Sequence, residues 1–429
     1  MRVLMFGWEF PPHIAGGLGT ACYGLTKGLA HHNVEILFVM PSASGDEDQS
    51  AVRIINASDV AVYDTCKNID EFLGKVDFLR VGSNLRPYID PVSFTELVTE
   101  EQKYQTEEFK GYFKEKYKFS GKYGTNLMEE VARYAMVAGA IAQQHEFDVI
   151  HAHDWLTNLA GIAAKKVSGK PLVIHVHATE FDRTGENVNP EVFRLEQTGM
   201  READKVITVS NLTRNIVINK YGIDPSKVIT VHNAVDFSGR GDIEVQRGVK
   251  EKIVTFLGRI TFQKGPEYFI EAANKVLKMY PNVRFVMAGS GDLMNRSIKR
   301  VAQLGISDRF HLTGFLRGQD VQRMFEYSDV YVMPSVSEPF GISPLEAMIS
   351  SVPTIISKQS GVAEVLKYAI KVDFWDIDAL ADAIYGLLNY PALSKMAIES
   401  GLEEVNSLKW DHAAAKVKRV YEAAINEKK

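Results

Sequence analysis

Two cysteines in 429 residues, Cys22 and Cys66, leave no material for a disulfide framework, and their separation is not that of a metal-ligand pair. That scarcity fits a reducing compartment, and a cytoplasmic location is the expectation. No apolar run approaches the roughly 18 residues that a membrane-spanning helix needs. The early run Val3-Leu4-Met5-Phe6 is too short for a signal-peptide core, and Glu9, Pro11 and Pro12 follow it. Neither sign of charge dominates. The formal net charge of −5 argues against non-specific nucleic-acid binding. Low-complexity segments and short repeats are missing too. What is left is ordinary for a soluble globular protein: 45% hydrophobic and 24% charged residues, over a length that suggests two or three domains.

The apolar pattern alternates short buried runs with helical periods. Strands are expected at 2–6, 34–39, 149–151, 172–175 and 206–209, with helices at about 18–31, 126–144 and 155–167. A polar, glycine-containing stretch from Asn233 to Asp242 interrupts the pattern. Alternation then resumes with strands at 253–257, 283–287, 310–312 and 329–333 and helices at 266–279, 292–303 and 319–327. Strand–helix alternation in both halves implies two doubly wound parallel α/β domains. The expected division is 1–236 and 237–409, with a last helix at about 410–429 returning to the first domain.

The richest stretch runs from Ser337 to Met348, where seven residues stand between Glu338 and Glu346 after the strand that ends at Pro334. Ser343-Pro344 reads as a helix start, a Ser N-cap followed by Pro at the first position. Glu338 then falls in a loop at a strand's carboxyl end and Glu346 on the next helix's first turn, where open α/β sheets bind ligands. The helix start also offers free backbone N–H groups to an anion. Two carboxylates beside an anion site suit a ligand rich in hydroxyls and phosphates. The plain alternative is a strand–loop–helix unit whose glutamates only cap and solvate. After the first strand of the second half, Gly258-Arg259 and Lys264-Gly265 bring two cations to a helix start. Cations there oppose the helix dipole unless an anion is bound. The first half carries Gly16-Gly17-Leu18-Gly19 after its first strand, and His151-Ala152-His153-Asp154-Trp155 and His175-Val176-His177 at consecutive strand ends. A lone histidine at a strand end is usually a satisfied core residue; two pairs are harder to dismiss. The His-x-His spacing raises metal binding, but no third ligand is evident. Gly289-Ser290-Gly291-Asp292 reads as a tight turn with Asp292 near an N-cap. The segment 104–123 interleaves aromatics with lysines and reads either as an amphipathic helix or as a surface that stacks on sugars or rests on a membrane.

The Glu-Pro-Phe-Gly…Pro-Leu-Glu-Ala-Met wording resembles the glutamate–seven–glutamate motif of retaining glycosyltransferases of family 4. Gly-Gly-Leu-Gly and His-Asp-Trp resemble the matching segments of glycogen and starch synthases. Those synthases usually carry Lys where this chain has Ile14, which leaves the nucleotide open. The resemblance implies the GT-B fold, two Rossmann-like domains facing each other across a cleft. It implies retaining, metal-independent transfer of glucose from ADP-glucose or UDP-glucose to an α-1,4-glucan, with no cofactor. Arg259 and Lys264 would stabilise the leaving diphosphate, and Glu338, with Gly341 and Ile342 N–H groups, would hold the donor sugar. Glu346 would take the ribose, Gly16 and Gly17 would approach the donor, and His153 and His177 would line the sugar pocket. The alternatives are a family 4 transferase with a lipid-linked or small acceptor, for which peripheral membrane contact stays open, and a sugar-nucleotide epimerase or nucleotide-binding protein of the same fold.

Overall fold

The computed structural model describes residues 1–13, 16–60, 117–121, 127–235 and 248–428. The chain divides into two compact units. Unit 1 comprises Met1–Phe181, Gly185–Ala234 and Trp410–Lys429, and unit 2 comprises Val235–Lys409 with Asp182–Thr184. Apart from the three residues Asp182–Thr184, the chain leaves unit 1 once, builds unit 2 and returns.

Unit 1 is built on a seven-stranded sheet. Its strands are β1 (Arg2–Phe6), β2 (Glu35–Met40), β3 (Arg53–Asn56), β4 (Val149–His153), β5 (Leu172–Val176), β6 (Lys205–Thr208) and β7 (Val228–Thr230), in the order β3-β2-β1-β4-β5-β6-β7. Every pairing is parallel. The interior strands β4 and β5 are buried at every residue, because helices cover both faces of a parallel sheet and leave no face to alternate toward water. Among the described residues its helices are α1 (Gly17–His31), α2 (Leu127–Gln144), α3 (Trp155–Ser168), α4 (Glu180–Thr184), α5 (Pro190–Glu202) and α6 (Asn211–Asn219). The core holds Phe6, Trp8, Tyr134, Trp155 and Tyr221, each at most 2% exposed. Burial of an apolar side chain of this size contributes about 1.5–3 kcal/mol.

Unit 2 repeats the plan with six parallel strands: β8 (Lys252–Leu257), β9 (Val283–Ala288), β10 (Phe310–Gly314), β11 (Val330–Met333), β12 (Thr354–Ser357) and β13 (Ile370–Val372), ordered β10-β9-β8-β11-β12-β13. Helices α7 (Pro266–Met279), α8 (Met294–Gln303), α9 (Gln319–Tyr327), α10 (Ser343–Ile349), α11 (Ile377–Asn389) and α12 (Pro391–Ser407) complete it. In both sheets the strand order reverses beside the first strand. The loops after β1 and β4, and after β8 and β11, therefore flank the switch points where such sheets take ligands. The Gly16–Gly19, His-Asp-Trp, Gly258–Gly265 and Glu338 motifs lie at those four strand ends, whereas His175–His177 ends β5 and Gly289–Asp292 follows β9.

The last helix, α13 (Trp410–Asn426), packs on α1 and against β4, β5 and β6. Glycines make room for it. A Cβ at Gly24 would stand 2.1 Å from Trp410 Nε1, and one at Gly28 would stand 2.7 Å from the Trp410 carbonyl oxygen. His31 Nδ1 meets Asp411 Oδ1 at 2.8 Å on the same seam.

Two local expectations need correction. Ser343 does not cap α10: the N-cap is Ile342, and Ser343 is the first helical residue with Pro344 behind it. The Ser343 hydroxyl is engaged instead by Tyr331, whose phenol donates to it at 2.8 Å. Helix α8 starts at Met294 rather than at 292, with Leu293 as N-cap, and Asp292 stands in the turn beside that cap as expected. Of the segment 104–123, residues 117–121 are described and run without helix; Phe119 is buried and Tyr117 packs against the same core. The rest of that segment, Ile14 and residues 236–247 lie outside the described residues.

Candidate active site

The glycine turn after β9 shapes the loop after β8. Gly289 adopts φ 143° and a Cβ there would stand 1.8 Å from the Gly258 carbonyl oxygen. No other residue permits that approach. Ile260 N–H donates to Ser290 at 2.8 Å and Leu293 N–H to Ile260 at 2.9 Å. The Arg259 loop is thus stitched to its neighbour by backbone alone. A 3₁₀ turn, Phe262–Lys264, ends at Gly265 with φ 65°, where a Cβ would lie 2.2 Å from the Pro334 carbonyl oxygen. Val336 N–H donates to the Gln263 carbonyl at 2.9 Å. These contacts draw the loops after β8 and β11 together.

Lys264 meets Glu338 there. The ammonium and the carboxylate form an ion pair whose side chains are 19% and 8% exposed. Ser335 Oγ donates to the same carboxylate oxygen at 3.3 Å. The Glu338 backbone is fixed by bonds with Gln359 and Gly361 at 2.9 and 2.8 Å. Arg259 Nη2 donates to Gln263 Oε1 at 3.0 Å. Gly341 holds φ 99° between Glu338 and α10, a conformation that favours glycine. Glu346 stands half-buried on the first turn of α10. Burial pushes the Tyr331 phenol well above its usual range, and the nearby Glu338 and Glu346 carboxylates push it further. The sequence-predicted Arg259, Lys264, Glu338, Gly341, Ile342 and Glu346 come together on unit 2.

On unit 1, His151 and His153 alternate along β4, and His153 is the register partner of His175 on β5. Parity puts His151, His153, His175 and His177 on one face, the face covered by α1 and α13. The rings pack at centroid distances of 4.2 Å for His151 and His153 and 4.3 Å for His175 and His177. His153 Nδ1 meets His177 Nε2 at 2.9 Å, and His151 Nδ1 meets Tyr421 Oη on α13 at 2.6 Å. Burial holds all four imidazoles neutral; it lowers His151 and His177 to about 3 and the other two well below the usual value. His153 has no exposed surface, whereas His177 is half-buried. Of the pair, His177 is therefore the one that faces outward. Among the described residues, two groups could hold a metal ion: His151, His153 and His175, or Cys22, His153 and His177, with donor atoms in each within 4.8 Å of one another.

Gly16 and Gly17 are exposed at the start of α1, and a Cβ at either would meet nothing within 4 Å among the described residues. Gly16 has φ −171°, open to any residue. Neither packing nor conformation of the described residues demands glycine there. Glu9 anchors the same helix start, accepting from Gly19 N–H at 3.1 Å.

Sequence reading missed the residues that organise these loops. Tyr331 looked like one more apolar strand residue, yet its hydroxyl joins Leu257 to Ser343. Asp154 was visible in His-Asp-Trp without a role. Its φ of 59° and ψ of 175° are a strained pair for any residue but glycine. Its carboxylate accepts from His177 N–H at 2.6 Å and from Ala178 N–H at 3.3 Å, so the strain fixes the backbone that carries His177.

Known proteins match both halves. Residues 2–231, more than half of the chain, match the family described as starch synthase catalytic domain, and residues 242–404 match glycosyl transferases group 1. An uncharacterised glycosyltransferase of Methanocaldococcus jannaschii is 26% identical over 446 aligned residues, which cover 99% of each chain. A glycogen synthase of Mycobacterium tuberculosis is 24% identical, over 99% of this chain and 95% of its own. Among solved structures, sucrose-phosphate synthase from Thermosynechococcus elongatus superposes with a TM-score of 0.72 at 17% identity, over 99% of each chain. The chain belongs to the starch synthase catalytic-domain family, and it is a glycosyltransferase of the GT-B fold.

Proposed function

We propose that the protein is a retaining glycosyltransferase that moves glucose from ADP-glucose or UDP-glucose to the end of an α-1,4-glucan, without a metal ion in the reaction. The observation that carries this reading is the convergence of Arg259, Lys264, Glu338 and Glu346 on the loops after β8 and β11 and the helix that follows. Two cations beside two carboxylates match a ligand that is diphosphate in the middle and hydroxyl-rich at both ends. The Mycobacterium tuberculosis relative, matched over nearly its whole length, is named a glycogen synthase and supports the glucan acceptor.

In the reaction, the bond between the glucose anomeric carbon and the diphosphate oxygen breaks. The acceptor hydroxyl oxygen bonds to that carbon on the same face, and its proton passes to the departing diphosphate. Arg259 offers a fork of donors to the charge that develops, and Lys264 a point charge. Such groups, fixed before the reaction, lower the barrier where charge appears. The Lys264–Glu338 pair opens as donor enters: Lys264 turns to the diphosphate and Glu338 to the sugar hydroxyls. Glu346 takes the ribose, and the bare backbone of Gly16 and Gly17 leaves room for the donor. His177 faces the sugar, with His153 behind it.

Purified protein given either donor should lengthen maltooligosaccharides by one glucose per turnover with the new linkage α, read by mass spectrometry and NMR, and should keep its rate in excess chelator. If neither donor extends a glucan while a lipid extract accepts label from a nucleotide sugar, the glucan reading is wrong. Complete loss of activity in chelator, restored by metal, would overturn metal independence.

A further inference from the structure

The four-histidine face of unit 1 contains more unpaired ring nitrogens than a packed core tolerates. With His151 Nδ1 held by Tyr421 and His153 Nδ1 held by His177, Nε2 of His151, Nε2 of His153 and both nitrogens of His175 are buried without a hydrogen-bond partner. Each such atom costs about 1–3 kcal/mol, and native cores seldom carry several side by side. One nitrogen of each ring lies within 4.8 Å of the other two.

We propose that His151, His153 and His175 bind a single transition-metal ion, Zn²⁺ in the first instance, through the nitrogens that the protein leaves unpartnered. Neutral imidazoles are the ligands that Zn²⁺ and its neighbours in the series prefer. A metal-bound histidine almost always hydrogen-bonds through its other ring nitrogen, which fixes ring and tautomer. Tyr421 supplies that bond to His151 and His177 supplies it to His153. His175, free at both nitrogens, is the ring able to turn. Metal–nitrogen bonds of about 2.0–2.1 Å set tetrahedral donors roughly 3.4 Å apart, so binding contracts the present triangle and turns rings that now stack, His175 lying 10° from parallel to His151 and 29° from parallel to His153. A buried dication also needs negative charge nearby. The buried carboxylates Glu9 and Asp154, which act on the Cys22 thiol beside the histidines, supply it.

The site sits behind His177 within unit 1, and the inference does not depend on the transfer reaction. The test is titration of metal-free full-length protein with Co²⁺, followed by visible absorption, and with Zn²⁺ in competition with a chromophoric chelator. Wild type should take one equivalent of either ion and gain thermal stability from it. His151→Asn and His175→Gln should weaken binding by more than the roughly 10–100-fold that loss of an outer-shell partner costs, and Tyr421→Phe by about 10-fold. Cys22→Ser should bind as wild type does. Tyr421→Phe keeps both strands intact and serves if the histidine variants fail to fold. No stoichiometric binding by wild type overturns the proposal. So does binding that survives His151→Asn, His175→Gln and Tyr421→Phe, or binding lost in Cys22→Ser alone, which would assign the ion to Cys22, His153 and His177.

Discussion

At the scale of single residues, the Lys264–Glu338 pair separates two effects that cations on one loop would otherwise share. Arg259→Ala and Lys264→Ala should each lower turnover by about 10²-fold or more, the scale of losing a donor aimed at developing charge. Their stabilities should differ. Lys264→Ala leaves the 8%-exposed Glu338 side chain without its cation, at a cost of about 1–3 kcal/mol. Adding Glu338→Gln to Lys264→Ala should recover most of that loss without recovering activity. Denaturant melts beside initial rates check both; equal melting of the two single variants would mean that the pair is not formed in solution. Glu346→Ala should weaken binding of the nucleoside diphosphate by about 1–3 kcal/mol, read by calorimetry, and unchanged affinity would move the ribose elsewhere. The spacing of Glu338 and Glu346 was legible because strand end, loop and helix start are local. The ion pair was not, because it joins residues 74 positions apart.

At the scale of elements, the loops act as a set. Gly289→Ala puts a methyl 1.8 Å from the Gly258 carbonyl oxygen and displaces the loop that carries Arg259. It should lower the melting temperature and raise the KM for the nucleotide sugar together, although Gly289 lies on a different loop. A variant that melts lower with an unchanged KM would show that the two loops relax independently. Most interior strands, and the helices between them, could be read from apolar runs and helical periods. The edge strands β3 and β7 could not: they are short, four and three residues, and mostly half-buried. The Ser343 cap was misread for a similar reason. Local chemistry favoured a capping hydroxyl, but the distant Tyr331 claimed it. His175 as a third donor needed the register of β4 against β5, which no local pattern carries.

At the scale of the whole molecule, four buried neutral imidazoles set an acid limit. Unfolding exposes them to water, where each titrates near 6.5, whereas in the fold His151 and His177 stay neutral down to about 3 and His153 and His175 also titrate well below their usual value. Below about pH 6.5 the unfolded chain therefore binds protons that the folded chain refuses, and stability falls as pH falls. Each histidine removes up to about 1.4 kcal/mol per pH unit in that window. Above it the four contribute no pH dependence. Melting curves of metal-free protein from pH 7.5 to 4.5 should steepen downward below pH 6.5, and His175→Gln should flatten the slope. Parallel curves for the two proteins would assign the acid lability to other groups.

The return of α13 to unit 1 bears on how the protein is made. Val235 and Lys409 form a bridge, so the two ends of the 235–409 segment lie side by side. A ribosome releases that whole segment before it releases Trp410. Until then the groove along Gly24 and Gly28 lies open, and His151 lacks the phenol of Tyr421. A nascent chain halted anywhere in unit 2 carries a complete seven-stranded sheet with one flank exposed to water. The first sheet to be started is the last to be closed.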